Sequence, residues 1–243
     1  MTSKYIEFVS VSQDSDSLFE NITLNSEINI LPEFTCTFNE KINNNNYYGS
    51  FSYEESSTFG DIIVTEGEIL YNTEYNLLGF IRTSMKPKTE SIIRYLNDSP
   101  NLHLKAPEYE QEAITDFYRT YSFNGYTVSF RTDIADYTFD SNYQYVKPEE
   151  TAKERAMMSK SIQMSDDLVN KVAEEFIKKG YFISSMDITL HKNGPQVGFS
   201  TPLRISRIKK NELNKENILL IVERVKEILD NNVKSIEEVC SET

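Results

Sequence analysis

Between residues 165 and 232 the spacing of apolar residues changes twice. From Ser165 to Lys179 the spacing is helical, which places six apolar residues on one side: Leu168, Val169, Val172, Ala173, Phe176 and Ile177. From Phe182 to Ile205 apolar and polar residues alternate, as in strands, and Asn193-Gly194 interrupts the alternation with a turn signal. Helical spacing returns from Lys215 to Asp230. The region is therefore predicted to form a helix, a β-hairpin and a second helix around one core.

The ends of these elements carry matching signals. Ser165 and Asn214 are predicted N-caps, because a short polar side chain can accept a backbone N–H there. Gly180 can adopt the left-handed conformation that ends a helix, and Asn231-Asn232 is the predicted stop of the second helix. Pro202 falls within the return strand and is expected at an edge or a bulge, because it has no N–H for the ladder.

The preceding residues alternate with period two and predict antiparallel strands and hairpins. The predicted strand regions are 4–12, 18–31, 33–54, 62–71, 75–83 and 121–132. Region 33–54 is predicted to be a hairpin with the tract Asn43–Asn46 at its tip, because Asn favours turns. Region 62–71 is predicted to turn at residues 65–68. Two helices are expected, at Thr89–Asn97 and Pro107–Tyr121.

These patterns predict an α+β protein. A β-rich acidic domain of antiparallel hairpins is expected at residues 1–147, and residues 148–164 form a linker or an exposed helix. Residues 165–243 form the helix–hairpin–helix unit with a C-terminal tail. The 243 residues suffice for one large domain or two small ones, and the two regions could be separate domains or share one core.

The formal net charge of −13 is unevenly spread along the chain. Residues 1–150 contain 10 Lys and Arg against 24 Asp and Glu, which gives −14. The remaining residues contain 15 against 14, which gives +1. The acidic half should repel nucleic acid and anionic membranes and should suit a protein with a basic surface. The alternative interpretation is that the acids serve solubility.

The cysteines and the first residues predict a cytoplasmic protein. Cys36 and Cys240 are far apart and form no metal or disulfide pattern, which is typical of a reducing compartment. The N-terminal residues lack the features of a signal peptide, and no apolar run is long enough for a membrane span. Asn, Ile, Lys and Tyr are common while Gly and Ala are scarce, a bias that suggests a low-GC bacterium or its phage.

No motif predicts catalysis, a cofactor or a metal. Neither His103 nor His191 has metal-ligand spacing, and the phosphate-loop, dinucleotide and nucleophile-elbow motifs are absent. Asp133, Asp136 and Asp140 could gather around a hard cation, but they do not match a calcium loop and are interpreted as acids of strand turns. The absence of these motifs therefore favours a non-catalytic protein over an enzyme, without deciding between them.

Two clusters are candidate partner-binding sites. Arg204, Arg207, Lys209 and Lys210 form the basic cluster, which could meet phosphate, an acidic partner or the chain's own acidic half. Tyr137, Tyr143 and Tyr145 form an aromatic cluster. Because the neighbouring aspartates would repel a nucleic-acid backbone, a protein contact or strand packing is favoured for these tyrosines.

Three functions remain open on these grounds. The first is a non-catalytic acidic protein-binding module, such as a phage or bacterial inhibitor, immunity or anti-defence protein acting on a basic partner surface. The second is a hydrolase that depends on carboxylates or a metal. The third is a structural component of a phage or another assembly.

Overall fold

The computed structural model describes two compact units. The described residues are 3–12, 19, 22–56, 60–83, 89–100, 102–109, 111–121, 127–131, 155–159, 174, 177–178, 182–190, 194–200 and 203–241. Those up to Pro107 belong to the first unit and those from Glu108 belong to the second. Each unit combines an antiparallel sheet with helices, which confirms the α+β class and the β-rich N-terminal region.

The first unit contains the following described elements: β1 (Ser3–Val11), β2 (Glu27–Leu31), β3 (Phe34–Lys41), β4 (Asn46–Ser56), β5 (Ile62–Asn72), β6 (Leu77–Thr83), α1 (Thr89–Leu96) and β7 (Leu104–Lys105). The strand order is β2-β3-β4-β5-β6-β1, and β7 pairs with β1. Each of these pairings is antiparallel. Consecutive strands from β2 to β6 are neighbours, which is the arrangement that short turns produce.

Helix α1 packs its apolar stripe on one face of this sheet. Ile92, Ile93 and Leu96 recur at helical spacing and are fully buried. They belong to a cluster with aromatic residues that alternate along the strands: Phe34, Phe38, Phe51, Tyr53, Tyr71 and Phe80. The period of two in the strands and of 3.6 in the helix therefore produces one common core.

The tract Asn43–Asn46 forms the tip of the β3–β4 hairpin, as its composition predicted. The side-chain oxygen of Asn43 accepts the backbone N–H groups of Asn45 and Asn46 at 3.0 and 2.9 Å. The side chain of Asn72, on β5, donates to that of Asn46 at 2.9 Å, and both residues are buried. The asparagines thus connect two neighbouring turns while satisfying buried polar groups.

The second unit contains these described elements: α2 (Gln111–Tyr121), β8 (Thr127–Arg131), β9 (Arg155–Ser159), β10 (Phe182–Thr189), β11 (Gln196–Ser200), β12 (Arg204–Lys209), a 3₁₀ turn (Lys210–Glu212) and α3 (Lys215–Ser241). The sheet order is β12-β11-β10-β8-β9. Helix α2 contacts both α3 and β10. Between α2 and β11 the buried rings of Phe117 and Phe199 lie 5.6 Å apart.

Helix α3 begins as predicted but ends later. The side-chain oxygen of Asn214 accepts the N–H of Asn217 at 2.9 Å, which confirms the N-cap. The predicted inward residues Ile218, Val222 and Val225 are buried. The helix continues to Ser241, so the predicted stop at Asn231-Asn232 is wrong. Asn costs a helix interior at most about 0.7 kcal/mol relative to Ala, which is too little to end a long helix.

Two other elements differ from the prediction. Residues 62–71 do not form a hairpin, because β5 runs through residues 65–68 as one strand. Helix α2 begins at Gln111 rather than Pro107, and it ends at Tyr121, which was both the predicted end of the helix and the first residue of the predicted strand region 121–132. In α2 the buried apolar residues form adjacent pairs one turn apart: Ala113, Ile114, Phe117 and Tyr118.

Strand β9 lies within residues 148–164, where a linker or an exposed helix was expected. Residues Arg155–Ser159 pair antiparallel with β8, and β8 also pairs with β10. The prediction was wrong for these five residues because their one short apolar stretch has no recognisable period. The proposed division into domains at 1–147 and 165–243 stays a prediction, and the pairing places β8 with the second unit.

The helix–hairpin–helix prediction is only partly covered by the described residues. Strands β10 and β11 pair antiparallel, so the hairpin is present within a larger sheet. The predicted return strand is two strands, because β11 ends at Ser200 and β12 begins at Arg204. Glu174, Ile177 and Lys178 are helical, while the rest of the predicted helix, including Phe176, lies outside the described residues.

Candidate functional site

The basic cluster lies along β12 and the start of the 3₁₀ turn, and two of its members, Arg207 and Lys209, pair with acids of their own unit. Arg207 donates from Nη1 to Oδ2 of Asp187 at 3.1 Å, and its Nη2 contacts Oδ1 of the same carboxylate. Asp187 is buried on β10 while Arg207 is exposed. A carboxylate held in this two-point geometry is a strong partner for arginine. The charge of Arg207 is therefore largely offset within the second unit.

The backbone conformation at Arg207 explains how its side chain reaches Asp187. Its φ angle is +62°, in the left-handed region, which interrupts the strand alternation so that both Ile205 and Ile208 are buried. A Cβ placed on Gly198 would lie 2.7 Å from the Nη2 atom of Arg207. Gly198 therefore leaves room for the guanidinium group to cross β11 and reach Asp187.

The other members of the basic cluster are also constrained. Lys209 Nζ lies 2.9 Å from Glu212 Oε1, across the 3₁₀ turn. Arg204 is half-buried, and the backbone of Lys210 begins the 3₁₀ turn, while its side chain lies outside the described part. The identified acidic partners, Asp187 and Glu212, come from the second unit rather than from residues 1–150.

Of the remaining sequence candidates, His103 is the one within the described residues. Tyr137, Tyr143 and Tyr145 lie outside the described residues, as do the aspartates 133, 136 and 140 and His191. His103 lies on the surface between α1 and β7. Within the described ranges no group of three His, Cys, Asp or Glu residues could hold a metal ion.

A second surface, which the sequence analysis did not single out, lies at one end of the first sheet. Strand β4 pairs with β3 as far as Tyr53, and β5 pairs with β6 from Glu68 onwards. Beyond these points β4 and β5 continue to pair with each other as far as Ser56 and Ile62. We call this two-stranded extension, together with the next two residues of β5, the arm. It comprises Glu54–Ser56 of β4 and Ile62–Glu66 of β5.

The arm carries three consecutive exposed apolar side chains. Ile62, Ile63 and Val64 are 67%, 43% and 52% exposed, and among the described residues Leu24 is the other large hydrophobic side chain that is exposed. On the side of β5 away from β4, no strand of the described residues pairs with these three. A strand edge that keeps unpaired backbone groups and β-branched side chains in water is a template for another strand.

Carboxylates border these apolar residues on both faces of the arm. In the β4–β5 register, Glu54 lies opposite Val64 and Glu55 lies opposite Ile63. Directly opposite residues share a face, with Cβ atoms about 4.5–5.5 Å apart. Glu66 follows Val64 on the same face and is exposed. Each face of the arm therefore combines apolar and acidic side chains.

The electrostatic environment of the arm is acidic. The sequence from Glu54 to Glu68 contains five Asp and Glu and no Lys or Arg, and Glu68 is paired with Lys4. Burial raises the pKa of Tyr53, and the carboxylates of Glu55, Glu33 and Asp98 raise it further. A cation near this end of the sheet would therefore be stabilised.

The sequence pattern of residues 62–67 is compatible with one continuous strand, but the prediction of a turn at residues 65–68 led to a different interpretation. Ile62, Val64 and Glu66 alternate with Ile63, Thr65 and Gly67 along one strand. If residues 65–68 are taken as a turn, the apolar residues appear to belong to a short buried strand. In the continuous strand, Ile62, Ile63 and Val64 are exposed, because they extend past the paired ends of β3 and β6.

Comparison of the chain with protein-family models and with curated proteins gives no match. Among the described residues, no helix has both the length and the apolar content needed to cross a bilayer.

Cys36 provides a pH-dependent test of the core of the first unit. Its side chain is buried on β3, and burial raises its pKa from 9.0 to about 12. Above pH 9 the unfolded thiol ionises while the folded thiol keeps its proton, so the free energy of unfolding should fall as pH rises. The slope expected from this group is about 1.4 kcal/mol per pH unit, from roughly pH 9 to 12.

The measurement is urea denaturation at neutral and alkaline pH, followed by tyrosine fluorescence because the chain has no Trp. Cys36→Val should reduce the alkaline loss without removing it, since the pKa values of the buried Tyr53 and half-buried Tyr48 are also raised. An unchanged pH dependence in Cys36→Val would show that this thiol is ionised in the folded chain.

Proposed function

We propose that this chain is a non-catalytic acidic protein-binding module that acts on a basic surface of a partner. The observation that carries the proposal is the arm, where three exposed apolar residues are bordered by carboxylates. Apolar side chains supply affinity when they are desolvated, while charge complementarity speeds encounter and selects the partner. The negative charge of residues 1–150 acts in the same direction as the local acids.

The pairing of the basic cluster also favours this proposal over direct binding of nucleic acid. Arg207 and Lys209 are engaged with Asp187 and Glu212, so contact with phosphate would require those ion pairs to be exchanged. A basic protein is the better complement to the acidic first unit. An inhibitor, immunity or anti-defence protein of a phage or a bacterium is the biological role that this chemistry suits, for example one that covers the nucleic-acid surface of an enzyme.

The proposal predicts that removing the apolar surface of the arm abolishes partner capture. The test compares the unmodified chain with the double variant Ile62→Ser/Val64→Ser, and Leu24→Ser serves as the control at another exposed apolar residue. A captured protein is purified and its association rate is measured at low and high salt. The rate should fall as salt rises, because the Debye length is only about 8 Å at physiological ionic strength.

Two results would contradict the proposal. One is equal binding of the purified partner by the unmodified chain and the Ile62→Ser/Val64→Ser variant. The other is direct binding of DNA or RNA in a gel shift, lost when Arg204, Arg207, Lys209 and Lys210 are replaced by Ser. The second result would assign the function to the basic cluster.

A further inference from the structure

We infer that the arm binds an extended, basic segment of its partner by adding it as a strand to the edge of β5 that faces away from β4, where no strand of the described residues pairs with Ile62–Val64. This inference rests on the proposed function and specifies how that function is carried out. It concerns backbone geometry as well as side chains. A folded basic surface could contact the arm through side chains alone, whereas strand addition requires hydrogen bonds from the edge of β5.

The first argument is the geometry of the edge. Strand β5 is held on one side by continuous antiparallel pairing with β4 from Ile62 to Asn72. On the other side, its pairing with β6 covers Glu68–Asn72 in the part of the chain that the structure describes. Residues Ile62–Glu66 therefore have the extended conformation of a strand already, and an added segment does not have to order them. Strand addition to a preformed edge derives its affinity from main-chain hydrogen bonds.

The second argument is the pattern of the side chains. Ile62, Val64 and Glu54 lie on one face of the arm, and Ile63 and Glu55 lie on the other. An added strand also projects its side chains alternately to the two faces. A segment that alternates apolar and basic residues can therefore place apolar residues beside isoleucine or valine and cations near a carboxylate. This complementarity is available in either register, because both faces offer both kinds of group.

The third argument is charge, which selects between possible occupants. A second copy of this chain would bring its own Glu54, Glu55 and Glu66 against those of the first copy, and like charges oppose that approach. The net charge of −13 adds to the repulsion. A segment rich in Lys or Arg experiences attraction instead. The same acids therefore protect the edge from self-association and favour a basic partner.

The experiment uses the full chain and a capped hexapeptide of alternating lysine and valine, carrying a fluorescent label. Binding is followed by fluorescence anisotropy. Three comparison peptides separate the contributions: one with glutamate in place of lysine, and two in which every second amide is N-methylated, one for each edge of the peptide. N-methylation removes the hydrogen-bond donors of one edge while the sequence of side chains stays the same.

We expect the lysine–valine peptide to bind, and the glutamate–valine peptide not to bind. Methylation of the edge that faces β5 should weaken binding at least about tenfold, which corresponds to about 1.4 kcal/mol. Methylation of the opposite edge should have a much smaller effect. Ile62→Ser/Val64→Ser should also weaken binding at least about tenfold, while Leu24→Ser should leave it unchanged, and both variants should keep the circular dichroism of the unmodified chain.

The outcomes distinguish failure of this inference from failure of the proposed function. If both methylated peptides bind as tightly as the unmethylated peptide, strand addition is wrong, although recognition of basic apolar surfaces stands. If no peptide binds but partner capture still depends on Ile62 and Val64, the inference fails and the proposed function survives. If light scattering shows that the unmodified chain self-associates and that Ile62→Ser/Val64→Ser does not, the occupant is a second copy and the inference is overturned.

Discussion

Replacing Phe80 with Ala should lower the free energy of unfolding of the first unit by about 3–5 kcal/mol. Phe80 is fully buried on β6, and its ring meets those of Phe51 and Phe34 edge-on, with centroids 5.5 and 6.4 Å away. Truncation removes the transfer free energy of the ring and leaves a cavity between two aromatic neighbours that can collapse only partly. The loss is large compared with the total stability of a typical domain.

The control for Phe80→Ala is Ile63→Ala on the arm. Ile63 is exposed, so its truncation should change the free energy of unfolding by no more than about 0.5 kcal/mol. Urea denaturation followed by tyrosine fluorescence measures both variants. A loss below about 1 kcal/mol in Phe80→Ala would mean that the aromatic cluster is not the core of the first unit.

Replacing Gly49 with Ala should destabilise the first unit by about 3 kcal/mol or more, at the upper end of the range for overpacking. A Cβ at this position would overlap the backbone oxygen of Thr37 and would lie 2.7 Å from Cα of Phe38. These are backbone atoms of the paired strand β3, so no side-chain rotation can relieve the contact. The register of β3 and β4 shifts next to this position, between Phe38 and Glu40, where the strands approach closely.

Gly60→Ala is the control that separates steric overlap from the cost of a left-handed backbone conformation. Gly60 has a φ angle of +86°, but a Cβ there would meet no atom within 4 Å. Its replacement should cost only the left-handed conformation, about 1–2 kcal/mol. If Gly49→Ala proves less destabilising than Gly60→Ala in the same denaturation experiment, the close approach of β3 and β4 is wrong.

The elements that could be predicted from the sequence are those in which local and tertiary preferences agree. In α1, Ile92, Ile93 and Leu96 form a helical stripe next to a sheet face that needs covering, and the helix lies within one residue of its predicted bounds. In α3, Asn214 directly precedes the helix that carries the apolar stripe, and its side chain caps the helix as predicted. The β3–β4 hairpin follows its asparagine tip and its alternation in the same way.

Other features depend on contacts that no short window of sequence contains. The φ angle of +62° at Arg207 is unusual for this residue, and it allows Ile205 and Ile208 to share the core despite their odd spacing. Strand β9 has little apolar pattern of its own and is recognisable through its pairing with β8. Glu66-Gly67 resembles a turn, yet Gly67 lies inside β5, where a Cβ would come within 2.5 Å of the Phe51 ring.

In the candidate site, too, some features could be predicted from the local sequence and others depend on tertiary contacts. The sequence revealed the acidity of the first 150 residues and located the basic cluster, but it did not show that Asp187 and Glu212 pair with Arg207 and Lys209. It also contained Ile62, Ile63 and Val64 as an apolar run, which on its own predicts burial. Exposure of this run follows from the lengths of the neighbouring strands, because β5 extends past the paired ends of β3 and β6.

Hydrogen exchange of the β5 amides, with and without the lysine–valine peptide, tests the central claim most directly. Strand addition predicts slower exchange for those amides of Ile62–Glu66 that do not bond to β4, because they would donate to the added strand. Amides around Leu24 and along Arg204–Lys209 should exchange at the same rate in both samples. Unchanged exchange at Ile62–Glu66, together with protection along Arg204–Lys209, would contradict the account and assign binding to β12.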